Sequence, residues 1–274
     1  LASTMSTLFL EEAPPVVGIL GGGQLCMMMI EAAHRMGVKV AVLDPNPACS
    51  AVSVLSQADS FTCGSFNDPS DVSNFIEASK PTVVTTDIEH INIAALKNIE
   101  HKVPVFPRPA TVERIKDKYI QKLAFQDKSL PTPSFAPVES VASLKNTIAQ
   151  WGGTYPVILK SRCNAYDGRG NYMIRKEADL EAAILALTPI IKADNIGDMP
   201  KNHLYVERVI PYAIEVSVMV AKCGKVLVSY PLVESLHVES ILRVVSTPTR
   251  LPAAVESQCI ELAKKAVDAL SGDA

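Results

Sequence analysis

Residues 16–44 decide the fold, and they read VVGIL, GGG, QLCMMMIEAAHRMG and VKVAVLD in succession. A short apolar run, three glycines, an amphipathic stretch and a second apolar run are typical of strand, turn, helix and strand. This order predicts a βαβ unit with parallel strands. In the helix, the following apolar residues recur at helical spacings and are predicted to fill the core: Leu25, Met28, Met29, Ala32 and Met36.

The three glycines, residues 21–23, let the backbone approach an anion at the N-terminus of this helix, where unpaired N–H groups favour negative charge. As a dinucleotide fingerprint the loop is incomplete, because Cys26 stands where the third glycine would be. Asp44, at the end of the next strand, is placed for a ribose hydroxyl. A nicotinamide-dependent oxidoreductase is therefore one alternative.

Strands and helices continue to alternate along the chain over residues 64–79, 81–90, 91–100 and 104–130. The last segment is predicted to be a strand that enters a single helix. Such alternation implies a parallel sheet with helices on both faces. Ligands of these sheets bind beyond the carboxyl ends of the strands, where Gln24, Asp87 and Glu89 are expected to lie.

Composition excludes several classes of protein. With 26 Lys+Arg against 29 Asp+Glu, the net charge is −3 and the basic residues are scattered, which argues against a nucleic-acid or membrane-surface partner. The apolar runs are shorter than a membrane span. The six cysteines form no CxxC pair, so we expect neither a metal ribbon nor a disulfide framework and assign the chain to the reducing cytoplasm.

After Pro133 the pattern changes to short strands joined by turns, with one helix near 177–187. The stretch IEVSVMV is predicted to be a half-buried antiparallel strand, with these residues on its inner face: Ile214, Val216, Val218 and Val220. Lys160 ends the apolar strand VILK, and YDGRG follows at 166–170. A loop of this kind can lie over a polyphosphate, although Asp-Gly is also an ordinary hairpin signal.

Several motifs together give the chain a specific resemblance: GILGGGQL, IEH, IKDKYIQK, VILKSR, AYDGRGN, LYVER, IEVSVMV and SYPLVESLH. The sequence is similar to the N5-carboxyaminoimidazole ribonucleotide synthetases, ATP-grasp enzymes that also form the synthetase module of fungal and plant phosphoribosylaminoimidazole carboxylase. The resemblance implies an α/β fold, in which a Rossmann-like pre-ATP-grasp domain precedes an ATP-grasp α+β domain lacking its C-terminal part. The implied divisions are a leader over 1–15, the pre-ATP-grasp domain over 16–110, a linker helix and lid subdomain over 111–212, and an incomplete C-terminal subdomain over 213–274.

The resemblance also implies the chemistry. ATP, with Mg2+, and bicarbonate form carboxyphosphate, and the amino group of 5-aminoimidazole ribonucleotide captures its CO2. A homodimer and a fused or separate carboxylase/mutase module are the partners that the family suggests.

Site residues follow by similarity. The nucleotide is expected to contact Lys118, Lys160, Ala165, Tyr166, Asp167, Gly168, Arg169, Gly170, Asn171, Glu207, Arg208, Val209, Ile210, Glu215 and His237. Among these, residues 207–210 would form the adenine hinge and Glu215 would hold the ribose. The imidazole ribonucleotide is expected to contact Gln24, Glu89, Tyr166, Asp167 and Arg169. Arg169 and Arg243 are the catalytic candidates, as cations that would stabilise carboxyphosphate.

The chain departs from the family in three places. Cys26-Met27 replaces Gly-Arg, and Asp87 replaces Glu. The third departure follows the amphipathic helix 254–270, whose predicted apolar face comprises Val255, Cys259, Leu262 and Ala266. The family continues there with a metal-binding Glu, so we expect a truncated chain that turns over little or no substrate. A non-catalytic nucleotide-binding remnant or partner module is the second alternative.

Overall fold

A computed structural model describes residues 14–163, 165, 170–192, 203–238 and 241–271. By its contacts the chain divides into two compact units, residues 1–112 (unit 1) and 113–274 (unit 2).

Unit 1 is built on a parallel sheet. Strands and helices alternate in the order β1 (Val16–Leu20), α1 (Gln24–Arg35), β2 (Lys39–Asp44), a 3-10 turn (Ser50–Val54), β3 (Ser60–Cys63), α2 (Pro69–Ser79), β4 (Val83–Thr86) and α3 (Ile93–Ile99). The strands lie in the order β3-β2-β1-β4, and every neighbouring pair is parallel. The predicted βαβ unit is confirmed.

Helices cover both faces of this sheet. On one face Ile19 and Val42 pack with Ile30 of α1. On the other, Leu43 packs with Phe75 of α2 and with the buried side chains of α3. Successive strand residues point to opposite faces, so strands that are buried on both sides must be apolar throughout, as VVGIL and KVAVLD nearly are.

The buried face of α1 differs from the predicted stripe. Leu25, Met28 and Met36 are 60%, 54% and 72% exposed. The residues that pack on the sheet are Cys26, Ile30 and Ala33, with Met29 partly buried against them. Two interleaved apolar sets share helical spacing in this sequence, and the predicted set is confirmed at Met29 but is wrong for Leu25, Met28 and Met36.

Unit 2 follows α4 (Pro109–Lys116), which spans the boundary between the units. Its first part contains α5 (Lys118–Asp127), β5 (Phe135–Val138), α6 (Val141–Gln150), β6 (Val157–Ser161), β7 (Asn171–Ile174), a 3-10 turn (Glu177–Asp179), α7 (Leu180–Lys192) and β8 (Leu204–Arg208). The strands form an antiparallel sheet in the order β5-β8-β6-β7. Helices α6 and α7 pack on one face of it, where Leu144, Leu159, Leu180 and Val206 belong to one core.

Two helices depart from the prediction. The single helix predicted after residue 104 is broken at Asp117, whose carboxylate accepts hydrogen bonds from the amides of Tyr119 and Ile120 and begins a new helix. Helix α6 was not predicted at all. Its start is a capping box made by Ser140 and Ser143, each of which accepts a hydrogen bond from the other's amide.

The remaining elements are β9 (Val216–Ser217), β10 (Val220–Cys223), β11 (Val226–Ser229), β12 (Val233–Val238), β13 (Ile241–Ser246) and α8 (Ala253–Ser271). The predicted strand IEVSVMV is wrong as one element, because β9 pairs with β12 while β10 pairs with β11. Ile214, predicted to be on the inner face, is 41% exposed. The bounds of α8 agree with the prediction within one residue at each end, yet Val255 and Leu262 are more than one-third exposed.

None of the helices within the described residues has the length and hydrophobicity of a membrane-spanning segment.

Candidate functional site

The face of the β5-β8-β6-β7 sheet that lies opposite α6 and α7, and on which α5 packs, carries charged and aromatic side chains. In the β6–β8 ladder, Lys160 lies opposite Tyr205 and Ile158 lies opposite Glu207. Because Leu159 and Val206 point into the core behind the sheet, the alternation places Lys160, Tyr205 and Glu207 on its other face. We call these three residues, with Lys122 of α5, the charged face.

One buried carboxylate organises the charged face. Glu207 is 4% exposed, and its two oxygens are shared between two ammonium groups. Lys122 Nζ lies 2.8 Å from Oε1, and Lys160 Nζ lies 3.1 Å from Oε2. Burial, followed by the negative charge of Glu207, raises the pKa of the Tyr205 hydroxyl far above its usual range. Tyr205 is therefore a neutral hydrogen-bonding group.

A second buried ion pair fixes the start of α5. Arg162 Nε lies 3.0 Å from both oxygens of Asp117, and Arg162 Nη2 donates to Oδ2 at 2.5 Å. The guanidinium also lies 4.9 Å from the centre of the Tyr119 ring. The Arg162 carbonyl accepts a hydrogen bond from the Lys118 amide at 2.8 Å. These contacts tie the helix that carries Lys118 and Lys122 to the end of β6.

The loop after β6 is described only at its ends. Tyr166, Asp167, Gly168 and Arg169 lie outside the described residues, so their predicted roles stay predictions. At the base of the loop, Gly170 has φ +85°, and a Cβ there would lie 2.6 Å from the Ala165 Cβ. Asn171 lies beside Lys160 in the β6–β7 ladder. The loop therefore begins and ends close to β6, the strand that carries Lys160. Residue 170 must be glycine, because a side chain there would clash with Ala165.

The predicted hinge, residues 207–210, follows β8 directly. The Arg208 amide donates to the Ser134 carbonyl at 3.0 Å, so it belongs to the sheet. The Arg208 guanidinium lies 5.5 Å from the Trp151 ring centre and donates to the Trp151 carbonyl. Val209 is half-buried and Ile210 is 50% exposed. The predicted contact of residues 207–210 with adenine stays a prediction.

Glu215 and His237 are brought together, as the prediction that both contact the nucleotide requires. His237 Nδ1 and Glu215 Oε2 are 3.0 Å apart, across the sheet that contains β9 and β12. Both line a cavity of about 320 Å3. Arg243 lies on the neighbouring strand β13, opposite the irregularity between Leu236 and His237, and is exposed.

Carboxylates of unit 1 accept hydrogen bonds from three amides of the glycine loop and the start of α1. The Gly22 amide donates to Asp44 Oδ2 at 2.7 Å, and the amides of Gly23 and Cys26 donate to the two oxygens of Asp87 at 2.8 and 2.7 Å. In this structure the three amides donate to Asp44 and Asp87, so the predicted anion at this loop and the predicted ribose contact of Asp44 gain no support and stay predictions. The nicotinamide alternative likewise gains no support from this loop.

The other predicted residues of unit 1 lie near this loop. Gln24 is the exposed first residue of α1, and Glu89 is half-buried in the loop after β4. Cys26 is buried, and burial, then the charge of Asp87, raises its pKa to about 12. The cysteine that replaces the family's glycine is therefore an unreactive packing residue.

Three charged residues near the site were not singled out from the sequence: Asp117, Lys122 and Arg162. A signal existed for Lys122, because Lys118 and Lys122 are four residues apart and so share one face of a helix. The pairing of Lys122 with Glu207 joins residues that are 85 positions apart (207 − 122), and no local pattern predicts it.

Comparison with known families supports two domains. The family described as ribonucleotide synthetase preATP-grasp domain matches residues 15–116, and the ATP-grasp domain family matches residues 123–273.

Sequence similarity to two curated relatives agrees with these family matches. The chain is 39% identical over 260 residues to phosphoribosylaminoimidazole carboxylase of Schizosaccharomyces pombe, covering 94% of this chain and 44% of the relative. It is 29% identical over 254 residues to N5-carboxyaminoimidazole ribonucleotide synthase of Synechococcus elongatus, covering 92% of this chain and 60% of that protein. The chain thus spans less than two-thirds of either relative.

Solved structures agree. The carboxyaminoimidazole ribonucleotide synthase of Aspergillus clavatus, complexed with ATP, superposes with a TM-score of 0.82 at 32% identity, covering 93% of this chain and 63% of that one. The same enzyme in complex with ADP and 5-aminoimidazole ribonucleotide gives a TM-score of 0.80 at 29% identity, with coverages of 93% and 63%. The predicted resemblance is confirmed.

Proposed function

The chain belongs to the ATP-grasp family, and we propose that it carries the nucleotide-binding part of an N5-carboxyaminoimidazole ribonucleotide synthetase of purine biosynthesis. The charged face is the observation that carries this proposal. It presents Lys160 from a rigid strand, beside the loop that begins at Ala165 and ends at Gly170. Preorganised cations of this kind stabilise the charge that develops during phosphoryl transfer.

The proposed reaction has two steps. A bicarbonate oxygen attacks the γ-phosphorus of ATP, the bond to the β–γ bridging oxygen breaks, and ADP leaves carboxyphosphate behind. Carboxyphosphate releases phosphate and CO2, and the amino nitrogen of 5-aminoimidazole ribonucleotide attacks the CO2 carbon and loses a proton. Neither step needs a covalent enzyme nucleophile, so positioning and charge stabilisation supply the catalysis.

The residues divide by role. Lys118 and Lys160 meet the phosphates, the loop Ala165–Asn171 covers them, residues 207–210 meet the adenine, and Glu215 with His237 meets the ribose. Arg169 stabilises carboxyphosphate, with Arg243 as the second candidate. Gln24, Glu89, Tyr166, Asp167 and Arg169 hold the imidazole ribonucleotide. The 3.0 Å contact between His237 and Glu215 supports the ribose assignment, since it orients the carboxylate.

Mg2+ would neutralise charge on the ATP phosphates when bound. Within the described ranges there is no group of three or more His, Cys, Asp and Glu side chains that would hold it. The carboxylates nearest Lys118 and Lys160, those of Asp117 and Glu207, are committed to Arg162 and to lysines. The described residues therefore do not fit a Mg2+ site, and their proposed roles do not depend on one.

The proposal includes the reaction's setting. Bicarbonate is the second substrate, the cytoplasm is the compartment, and the chain acts as a homodimer. A carboxylase/mutase module, a lyase, completes the pathway step in the same or a separate polypeptide. The name of the fungal relative, a carboxylase that is longer than this chain, supports the fused arrangement.

Calorimetry and a coupled assay test the proposal. ATP should bind to the chain, and any ADP formed should require both bicarbonate and 5-aminoimidazole ribonucleotide. ADP formation under these conditions would exclude the alternative, a non-catalytic nucleotide-binding module, whereas ATP binding alone is the result that both functions predict. No ATP binding at millimolar concentration would refute both functions.

A further inference from the structure

The charged face contains one cation more than its carboxylate needs. Lys122 and Lys160 both contact Glu207, at 2.8 and 3.1 Å, so the three groups carry two positive charges and one negative, a net charge of +1. Their side chains are only 18%, 26% and 5% exposed, respectively. Charges this far from solvent are weakly screened, and the net charge of the cluster is felt by any ligand placed against it.

The charge of Lys122 explains how Lys160 can be held by a carboxylate and still attract an anion. A buried carboxylate holds Lys160 in place, but a Lys160–Glu207 pair alone is neutral and offers a polyanion no attraction. Lys122 forms an ion pair with the other oxygen of Glu207, Oε1, at 2.8 Å and restores the positive charge. With it, Lys160 is both held and available to a phosphate.

The surroundings of Lys122 fix its ammonium at this point. It lies on α5, the helix that Asp117 caps and that Arg162 ties to β6. Its Nζ lies 5.9 Å from the centre of the Phe135 ring on the neighbouring strand β5. The Phe135 ring packs edge-on against Tyr119, at 5.4 Å between centroids. The side chain is thus enclosed by helix and sheet and directed at Glu207.

We propose that Lys122 is a positioning residue for the ATP site, and that it acts through Glu207 by compensating the carboxylate charge that holds Lys160. This inference rests on the proposed function, since it takes the ligand to be the ATP polyphosphate. This role can be told apart from a direct contact between Lys122 and ATP. If Lys122 acts only by compensating Glu207, then neutralising both groups leaves the charge of Lys160 available, and ATP binding should recover.

Rescue by a second substitution tests this role. ATP affinity is measured by calorimetry at fixed ionic strength for the parent, Lys122→Met, Glu207→Gln and the double variant. Lys122→Met should weaken ATP binding about tenfold or more, because the cluster becomes neutral. The double variant, with a net charge of +1 on Lys160, should bind at least about fivefold more tightly than Lys122→Met. Lys145→Met, which removes an exposed lysine paired with Glu177, is the matched control and should change nothing.

Several results would overturn the inference. An unchanged affinity in Lys122→Met would do so, as would a double variant no tighter than the single one, which indicates direct contact by Lys122. The midpoint of urea denaturation, measured for each variant, identifies the variants that fail to fold. If Lys122→Met is unfolded, Lys122→Arg must retain parental ATP affinity within about threefold, and a larger loss would also count against the proposal.

A ligand-free readout separates this inference from the proposed function. Acylation of lysines by an N-hydroxysuccinimide ester, mapped by mass spectrometry without nucleotide, reports how firmly Glu207 holds Lys160. Lys160 should react at least about threefold faster in Glu207→Gln than in the parent, while Lys145 should not change. If the parent fails to bind ATP, the proposed function is wrong. An unchanged acylation rate of Lys160 in Glu207→Gln would show, separately, that Glu207 does not position Lys160.

Discussion

The two units use their carboxylates differently. In unit 1, Asp44, Asp59 and Asp87 accept hydrogen bonds mainly from backbone amides near the parallel sheet. In unit 2, Asp117 and Glu207 are paired with lysine and arginine side chains where α5 meets the antiparallel sheet. These three acids of unit 1 therefore act mostly on the backbone, whereas the two acids of unit 2 also neutralise buried cations.

This difference corrects a common inference from sequence. Three glycines before a helix predict an anion site because their amides are assumed to be free. Here the amides of Gly22, Gly23 and Cys26 are occupied by the protein's own carboxylates. In unit 2 the positive charge comes instead from side chains, because Lys122 and Lys160 share the one carboxylate of Glu207. Substitutions in one unit at a time can test these two uses of carboxylates separately.

The largest effect is expected at Asp117. Asp117→Ala removes the counter-ion of the buried Arg162 and the cap of α5, and should destabilise the chain by about 3–5 kcal/mol in urea denaturation. Glu77→Ala is the control, since the exposed Lys102–Glu77 pair should contribute less than about 1 kcal/mol. Similar losses in the two variants would contradict the structural role of Asp117.

Asp87 tests the other side of the comparison. Asp87→Ala leaves the amides of Gly23 and Cys26 without their acceptor and should lower the free energy of unfolding by about 2–3 kcal/mol. Asp87→Asn keeps one acceptor oxygen and should lose about half as much. Because this carboxylate is used within unit 1, neither variant should change ATP affinity. A weaker ATP complex would show that the loop takes part in nucleotide binding.

Lys160 provides the functional contrast to Asp87. Lys160→Ala should lower ATP affinity tenfold to a hundredfold, about 1.5–3 kcal/mol, with a small change in stability. Lys145→Ala, at an exposed position of α6, should leave the affinity unchanged. Calorimetry that finds equal ATP affinities for Lys160→Ala and the parent would remove Lys160 from the site.

Much of the fold was predictable because its signals are local. The βαβ unit follows from short apolar runs separated by glycine and an amphipathic stretch, and α8 follows from a long helical pattern. Helix α6 escaped prediction because it buries only Leu144 and Ile148 and begins with a capping box of two serines, a weaker signal than the Ser-x-x-Glu form. In α1, the choice between two apolar stripes was made by the sheet, which no window of sequence contains.

The site was predictable only in part. The resemblance singled out Lys160 and Glu207, whose ligand contacts stay predictions, but it gave no role to the Glu207 side chain. Its contacts with Lys122 and Lys160 depend on α5 and β6 meeting β8 in three dimensions. The break at Asp117 likewise depends on Arg162, which lies 45 residues further along the chain.

The smallest effect is expected at Asp59, where the dependence on pH identifies the cause. Burial acts to raise its pKa, but hydrogen bonds from the Ser56 hydroxyl and amide, the Val40 amide and the His34 ring outweigh it, so the pKa is lowered. A carboxyl whose pKa is lower in the folded state stabilises the protein above its unfolded pKa of about 3.9, and this stabilisation is lost as the pH falls through the folded pKa. Asp59→Asn should therefore cost about 1–2 kcal/mol at pH 7, with the same difference at pH 5.5 and a smaller one below pH 4. Urea titrations of the parent and variant across this range measure the difference, and Glu31→Gln, at an exposed position of α1, should show none. If the difference in free energy of unfolding between the parent and Asp59→Asn stays constant down to pH 3, the charge of Asp59 does not stabilise unit 1. The cost of the substitution would then come from packing and neutral hydrogen bonds alone.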